Sequence, residues 1–259
     1  MNLPFLSAGQ VEAFILVLLR ISAIVVTIPV ISDTSIPARF KAALSILITL
    51  IIFPVVAPKI PEPANYHLLI LLYRMAGEVM IGLIIGFTAR LIFAGIQMAG
   101  DMIGFQMGLS IANIIDPMTS DQVSIITELQ YLIAMLVFLA VDAHHIFFSA
   151  LIQSYSILSP LTFHFSGQLM QLIFDFSKEM FVISIKLGAP LMAVMLFSNV
   201  GLGIVARTVP QINVFIVGMP LQIAVGLIFL GLTAPLYIKL TQGLFSNLEV
   251  KIIHLLQVM

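Results

Sequence analysis

LLILLYRMAGEVMIGLIIGFTARLIFAGIQMA, residues 68 to 99, is one apolar run with Arg74, Glu78 and Arg90 inside it. Backbone groups in hydrocarbon must bond internally, which leaves a helix or a closed barrel. The run is continuous rather than alternating, so it reads as a helix. At about 1.5 Å per residue it is too long for one straight span. Tilt, projection beyond the apolar layer or a break is therefore expected. Over the twenty residues from Leu68, about eleven strongly apolar side chains return roughly −5 kcal/mol, and two unpaired charges cost roughly 5–7 kcal/mol. Alone the segment is near break-even. Arg74 and Glu78 stand four apart, so pairing on one helix face, snorkelling or burial in an assembly must decide the outcome.

Five further apolar stretches lie near Val11–Ile31, Ala42–Val56, Ile125–Ile152, Leu169–Val200 and Ile212–Leu240. Most carry charges of their own: Glu12 and Arg20 in the first, Glu128, Asp142, His144 and His145 in the fourth, and Asp175, Lys178, Glu179 and Lys186 in the fifth. The chain is 61% hydrophobic, which no ordinary soluble domain matches. The fold class that follows is all-α, an integral membrane protein of helical hairpins with six hydrophobic segments, some of them broken. Ala42–Val56 is short for a complete crossing. A charge at the centre of a lipid-facing helix is costly, so these helices are expected to face one another or a polar channel. Arg20, Glu78, Arg90 and Asp142 are placed at helix or subunit contacts on that ground.

The net charge is −1 and there is no basic stripe, so no nucleic-acid partner is expected. The absence of cysteine excludes disulfides and thiol catalysis. Met1–Gln10 holds no Lys or Arg and no A-x-A-like cleavage site ends the first run, so the first helix is expected to be retained. Loop cations number three on one side (Arg39, Lys41, Arg207) and three on the other (Lys59, Lys239, Lys251), so charge gives no orientation.

Local signals punctuate the segments. Ser7-x-x-Gln10 fits a capping box, which starts the first helix near Gly9. Pro29 ends or kinks that helix. Ser32–Lys41 is a polar turn, with Pro37 suited to the first position of the next helix. Pro54, Pro58, Pro61 and Pro63 predict a rigid, extended connector. Ala99–Gln122 contains repeated Gly and Met and no Lys or Arg, and Asp116-Pro117 marks a break. Ser154–Gly167 reads as a second loop without Lys or Arg. Pro190 interrupts the fifth segment, and Pro220 and Pro235 the sixth. In the tail, Ser246-x-x-Glu249 is a second capping box ahead of a short amphipathic helix.

Gly82 and Gly86, then Gly100, Gly104 and Gly108, recur every four residues, a small-residue face for close helix packing within or between chains. Met98, Met102, Met107 and Met118 with Phe105 either fill core gaps or line a constriction that must close and reopen. Asp142, His144 and His145 invite a metal or proton-relay reading. Adjacent helical residues point about 100° apart, however, so the two imidazoles are not expected to share one ion. Nucleophile-elbow, phosphate-loop and dinucleotide motifs are absent. No enzyme activity, cofactor or metal is expected.

Arg207-Thr-Val-Pro-Gln-Ile-Asn-Val-Phe215 resembles the R-x-x-P-Q-x-N-V-F signature of the FliR family, flagellar biosynthesis proteins of the type III export gate. Matching pieces run along nearly the whole chain. They are Arg20 with Pro29, Ile36–Lys41, Glu78 with Gly82 and Gly86, Ala99-Gly100, Gln106-x-Gly108-Leu109-Ser110, Asp116-Pro117 and His144-His145. Ala189-Pro190, Asn199-x-Gly201-Leu202 and Gly218-x-Pro220 complete the set.

The resemblance implies a structural, channel-forming subunit that joins FliP-like and FliQ-like subunits in a pseudo-helical hetero-oligomer, with FlhB-like and FlhA-like proteins associated. Unfolded flagellar proteins would be its cargo, and the bacterial inner membrane at the flagellar basal body its place. It further implies a FliP-like part at 1–188 and a FliQ-like hairpin with a C-terminal amphipathic helix at 189–259. The loop after the third segment, roughly Phe105–Gln122, would be a channel plug, with Phe105, Gln106, Met107, Gly108, Ile111, Asp116, Pro117 and Met118 as gating residues. Gly82, Gly86, Gly100, Gly104, Arg20, Glu78, Arg207, Pro210, Gln211 and Asn213 would serve helix and subunit packing, with Arg207, Gln211 and Asn213 fixing the C-terminal hairpin through inter-helix hydrogen bonds. The alternative from a different class is a proton-coupled secondary transporter using Asp142, His144 or Glu78.

Overall fold

The computed structural model describes residues 8–33, 35–60, 68–109, 124–158, 165–209, 211 and 213–259. Among them there is no strand, and the chain is an all-α integral membrane protein. Its helices are α1 (Ala8–Thr27), α2 (Pro29–Ser32), α3 (Ala38–Val56), α4 (Leu68–Gln106), α5 (Ile125–Ala140), α6 (Ala143–Ile157), α7 (Gly167–Thr208), α8 (Val214–Ser246) and α9 (Leu248–Val258). Among the described residues α1, α3, α4, α7 and the α8–α9 stretch contain segments long and apolar enough to cross a membrane. The broken pair α5 and α6 brings the number to six.

Several boundaries fall where local chemistry puts them. α1 stops at Thr27 and Pro29 opens α2 in the first-turn position where its missing N–H is no loss. Pro37 caps α3 instead of entering it. At the corner before α3 the Ser35 N–H donates to the Asp33 carboxylate at 2.8 Å and holds that carboxyl below its ordinary range. The Lys41 ammonium donates to the Ser32 and Asp33 carbonyls at 2.9 Å each. In the tail Leu248, Ile252, Leu255 and Leu256 of α9 are buried, as the amphipathic spacing predicts, though the cap is Asn247 rather than Ser246.

The prolines depart from expectation. α3 continues through Pro54 into a 3₁₀ turn at Ala57–Lys59, so the connector begins later than the prolines suggest. α7 runs through Pro190 and α8 through Pro220 and Pro235 without a break. Each proline removes one helical hydrogen bond, and long apolar helices tolerate this where neighbours re-satisfy the freed carbonyl. α4 is likewise unbroken over 39 residues. Ser154 to Ile157, expected in a loop, form the last turn of α6. Ser7 of the first capping box, and Pro61 and Pro63, lie outside the described residues.

Two compact units divide the chain: Met1–Leu91 with Asp142–Phe176 and Ser246–Met259, and Ile92–Val141 with Ser177–Phe245. In the first unit α1 packs on α3 and α9 on α6. Phe14 meets Phe53 edge-on with ring centroids 5.5 Å apart. α4 reaches α1 across glycines. A Cβ on Gly82 would lie 2.6 Å from the Arg20 carbonyl, and one on Gly86 would run into the Thr27 side chain.

In the second unit the remainder of α4 approaches α5 in the same way, Gly100 against Thr127 and Gly104 against Ser124. Phe93 sits among Tyr131, Phe138 and Phe245, with centroids 5.3–5.8 Å away. The Tyr237 hydroxyl donates to the Gln130 carbonyl at 2.8 Å.

These close approaches carry a contrast that a stability measurement on the purified chain resolves. Gly86→Ala should cost about 1–3 kcal/mol through overpacking. Gly201→Ala, at a position with nothing within 4 Å, should be neutral or gain up to about 1 kcal/mol from helix propensity. Equal effects at both positions in denaturant or thermal titrations would remove the packing explanation.

Candidate functional site

The expected polar contacts resolve into one buried cluster. Arg20 of α1 is fully buried. Its Nε donates to Glu78 Oε2 at 2.6 Å and its Nη2 to Glu78 Oε1 at 3.0 Å. The third nitrogen, Nη1, donates to Ser154 Oγ at 2.8 Å, and the guanidinium carbon stands 3.9 Å from the centroid of the Tyr155 ring. Ser154 passes the chain on by donating to the Leu151 carbonyl at 2.7 Å. α1, α4 and α6 therefore meet at one neutral, bidentate pair, the strongest geometry open to arginine and carboxylate. One turn earlier on α4, Arg74 reaches Glu12 of α1 at 3.3 Å. Arg74 and Glu78 thus take their ion pairs from α1, not as the same-helix pair that their spacing favours, because α1 brings a complementary Glu12 and Arg20 to the same face.

Other intramembrane charges are placed differently. Arg90 and Asp142, expected at helix or subunit contacts, are exposed within this chain. Arg207 is exposed in the last turn of α7, where a cation suits the negative end of the helix dipole. Gln211 and Asn213 are exposed beside it, and the Asn213 carbonyl receives the Ile216 and Val217 N–H groups that open α8. Pro210 lies outside the described residues. Among the described residues a side-chain link between α7 and α8 is the Gln222 amide donating to Asn199, a pairing that the sequence did not single out. Asn199 opens the Asn199-x-Gly201-Leu202 piece and Gln222 follows Gly218-x-Pro220 by two residues, and only the packed hairpin brings them together.

The predicted plug begins inside a packed helix end. Phe105 and Gln106 complete α4, with Phe105 68% exposed. Met107 is wholly buried in a cluster with Ile103, Ile126, Leu191 and Met195, and its thioether fills the notch left by Gly226 of α8. Gly108 takes φ 80°. Its N–H bonds the Phe105 carbonyl at 3.0 Å, and the Leu109 N–H bonds the Gly104 carbonyl at 3.1 Å. That pattern is a Schellman cap, so Gly108 ends the helix and does not extend the Gly100 and Gly104 face. Ile111, Asp116, Pro117 and Met118 lie outside the described residues.

Asp142 breaks the fourth segment. It is the non-glycine residue with positive φ among those described, at 53°, and α6 begins behind it. One ligand atom from each of Asp142, His144 and His145 lies within 4.8 Å of the others, and the two imidazole centroids are 4.2 Å apart. The two imidazoles stand closer than the 100° between adjacent helical positions suggests, because their χ angles turn the rings toward each other within α6.

A sequence model of the bacterial export proteins, family 1, matches residues 11–248. The flagellar biosynthetic protein FliR of Bacillus subtilis (strain 168) is 36% identical over 237 residues, 90% of each chain. FliR of Escherichia coli (strain K12) is 30% identical over 89% of this chain and 87% of its own. FliR of Pectobacterium carotovorum is 31% identical over 92% and 90%.

The buried cluster predicts an asymmetric mutational response. Glu78→Gln leaves the Arg20 charge without its counter-ion and should cost about 3–5 kcal/mol. The double change Arg20→Met with Glu78→Leu should recover most of that loss. Tyr155→Phe should cost nothing measurable, because the buried Tyr155 hydroxyl has no hydrogen-bond partner among the described residues and the ring survives. Thermal unfolding of the four purified proteins decides it. A double variant no better than Glu78→Gln would contradict the ion-pair account.

Proposed function

The chain belongs to the bacterial export protein family 1 with the flagellar FliR proteins, and from that membership we propose that it is a channel-forming subunit of a flagellar protein export gate. As a flagellar biosynthesis export component it is a membrane protein by its own apolar helices. The proposal adds location and partners. Its site is the inner membrane at the flagellar basal body. Its partners are FliP-like and FliQ-like subunits in a pseudo-helical assembly, FlhB-like and FlhA-like proteins, and unfolded flagellar substrates. Residues 1–188 take the FliP-like role and 189–259 the FliQ-like role. The function is structural, without catalysis or cofactor.

The observation that carries the reading is the contrast at the end of α4. Gly108 fixes the helix terminus and Met107 is locked in the core, so the end of α4 is a rigid anchor at the start of the proposed plug. An exposed Phe105 stands on the same anchor. A seal against ions that must yield to a polypeptide suits a fixed helix end that carries an exposed aromatic side chain. The large exposed apolar side chains of α7 and α8, Phe197, Ile204, Ile216 and Leu232 among them, suit neighbours of lipid or other subunits.

Replacing residues 110–122 by a short Gly-Ser linker, with Phe105 to Leu109 retained, tests the seal. The assembly should still form, and cells should become permeable to small ions while export continues. A tight membrane with normal secretion would refute the plug. Reconstituting the purified chain alone separates the transporter alternative, since proton-coupled solute flux without partners would refute the gate reading. Gly108→Ala should loosen the anchor by about 1–2 kcal/mol through its left-handed backbone, and raise ion leak without loss of assembly.

A further inference from the structure

We propose that Asp142, His144 and His145 form a binding site for a first-row transition-metal dication of the zinc, cobalt or nickel class. The three ligand atoms already lie within 4.8 Å of one another. Ligands at about 2.0–2.2 Å from a tetrahedral ion stand roughly 3.4 Å apart, so closure asks for about an ångström of side-chain rotation. Asp142 and His145 are exposed and have the freedom to make it. Two neutral imidazoles with one carboxylate are the donor set that such ions prefer over magnesium or calcium, which favour oxygen alone.

Two independent features point the same way. Nδ1 of His144 is buried and has no hydrogen-bond partner among the described residues. A buried imidazole nitrogen without a partner is costly unless something coordinates it or bonds it. Asp142 is at the N-cap of α6, where an aspartate ordinarily accepts a backbone N–H, yet its side chain makes no such bond. The carboxylate is left for another task. The positive end of α6 works against a cation there, and the charge of Asp142 offsets it.

The ion would pin the left-handed corner where α6 starts. Because α6 carries Ser154 and Tyr155 of the Arg20 cluster on its far turns, the site would brace the same helix at its opposite end. This role does not depend on the export-gate reading, and its test does not measure secretion.

The full chain, purified in detergent with a tag free of histidine and stripped by chelator, is titrated with Zn(II) against a chromophoric competitor. One equivalent per chain is expected. Asp142→Asn, His144→Gln and His145→Gln should each weaken binding by at least about tenfold, a loss at least as large as removal of an outer-shell partner causes. His254→Gln should leave it unchanged, and circular dichroism confirms that each variant is folded. Cu(II)-loaded wild type, read by electron spin-echo spectroscopy, should report two coordinated imidazoles whatever the variants do. Substoichiometric uptake by the wild type, wild-type affinity in any of the three ligand variants, or fewer than two coordinated imidazoles would overturn the site.

Discussion

A charge taken out of water must find its opposite within hydrogen-bond reach, and in this chain that requirement joins three helices at one point. Arg20, fully buried, bonds Glu78 and Ser154 through all three guanidinium nitrogens and stands over the Tyr155 ring. Neither Arg20 nor Glu78 takes its counter-charge from its own helix. α1 supplies the cation, α4 the anion and α6 the hydroxyl and the aromatic face. Such a pair adds little net stability over a well-packed apolar substitute, but it penalises every arrangement in which one partner is left alone. Register between α1 and α4 follows from it, and the second pair, Arg74 with Glu12, repeats the constraint a turn away.

The glycines complete that constraint. A bidentate contact needs backbones close enough for a short side chain such as Glu78 to reach, and Gly82 and Gly86 supply the gap on the same helix. The device recurs on α4 at Gly100 and Gly104 against α5, and on α8 at Gly226 beneath Met107. Where apolar surroundings do not drive helices together, packing at short range must do so. The long α4 is the most buried of the candidate spans, which is why it carries charges that a lipid-facing helix would not.

Much of this was legible beforehand. Long apolar runs gave the helices, and the four-residue spacing of glycines marked the packed faces of α4. Proline placement marked the end of α1 and, to within a residue, the start of α3. Prolines misled where they sit inside α3, α7 and α8, because their rule is calibrated on helices in water and says nothing of neighbours that restore a lost bond. Gly108 misled as well: spacing put it on the helix face, whereas a left-handed turn made it the terminus. The partners of Arg74 and Glu78 stayed open for a related reason. Spacing of four along one helix is visible in a string of letters, while Glu12 and Arg20 lie some sixty positions away.

Sequence alone determined the class: all-α, six apolar segments and buried charges that require partners, since composition and run length act through solvation whatever the fold. It also carried the family, through Arg207 to Phe215. Only the tertiary structure decided which charge meets which, which glycine ends a helix and which two histidines converge. Those outcomes depend on distances across helices, on side-chain rotamers and on the backbone angle at Gly108, quantities that no local pattern encodes.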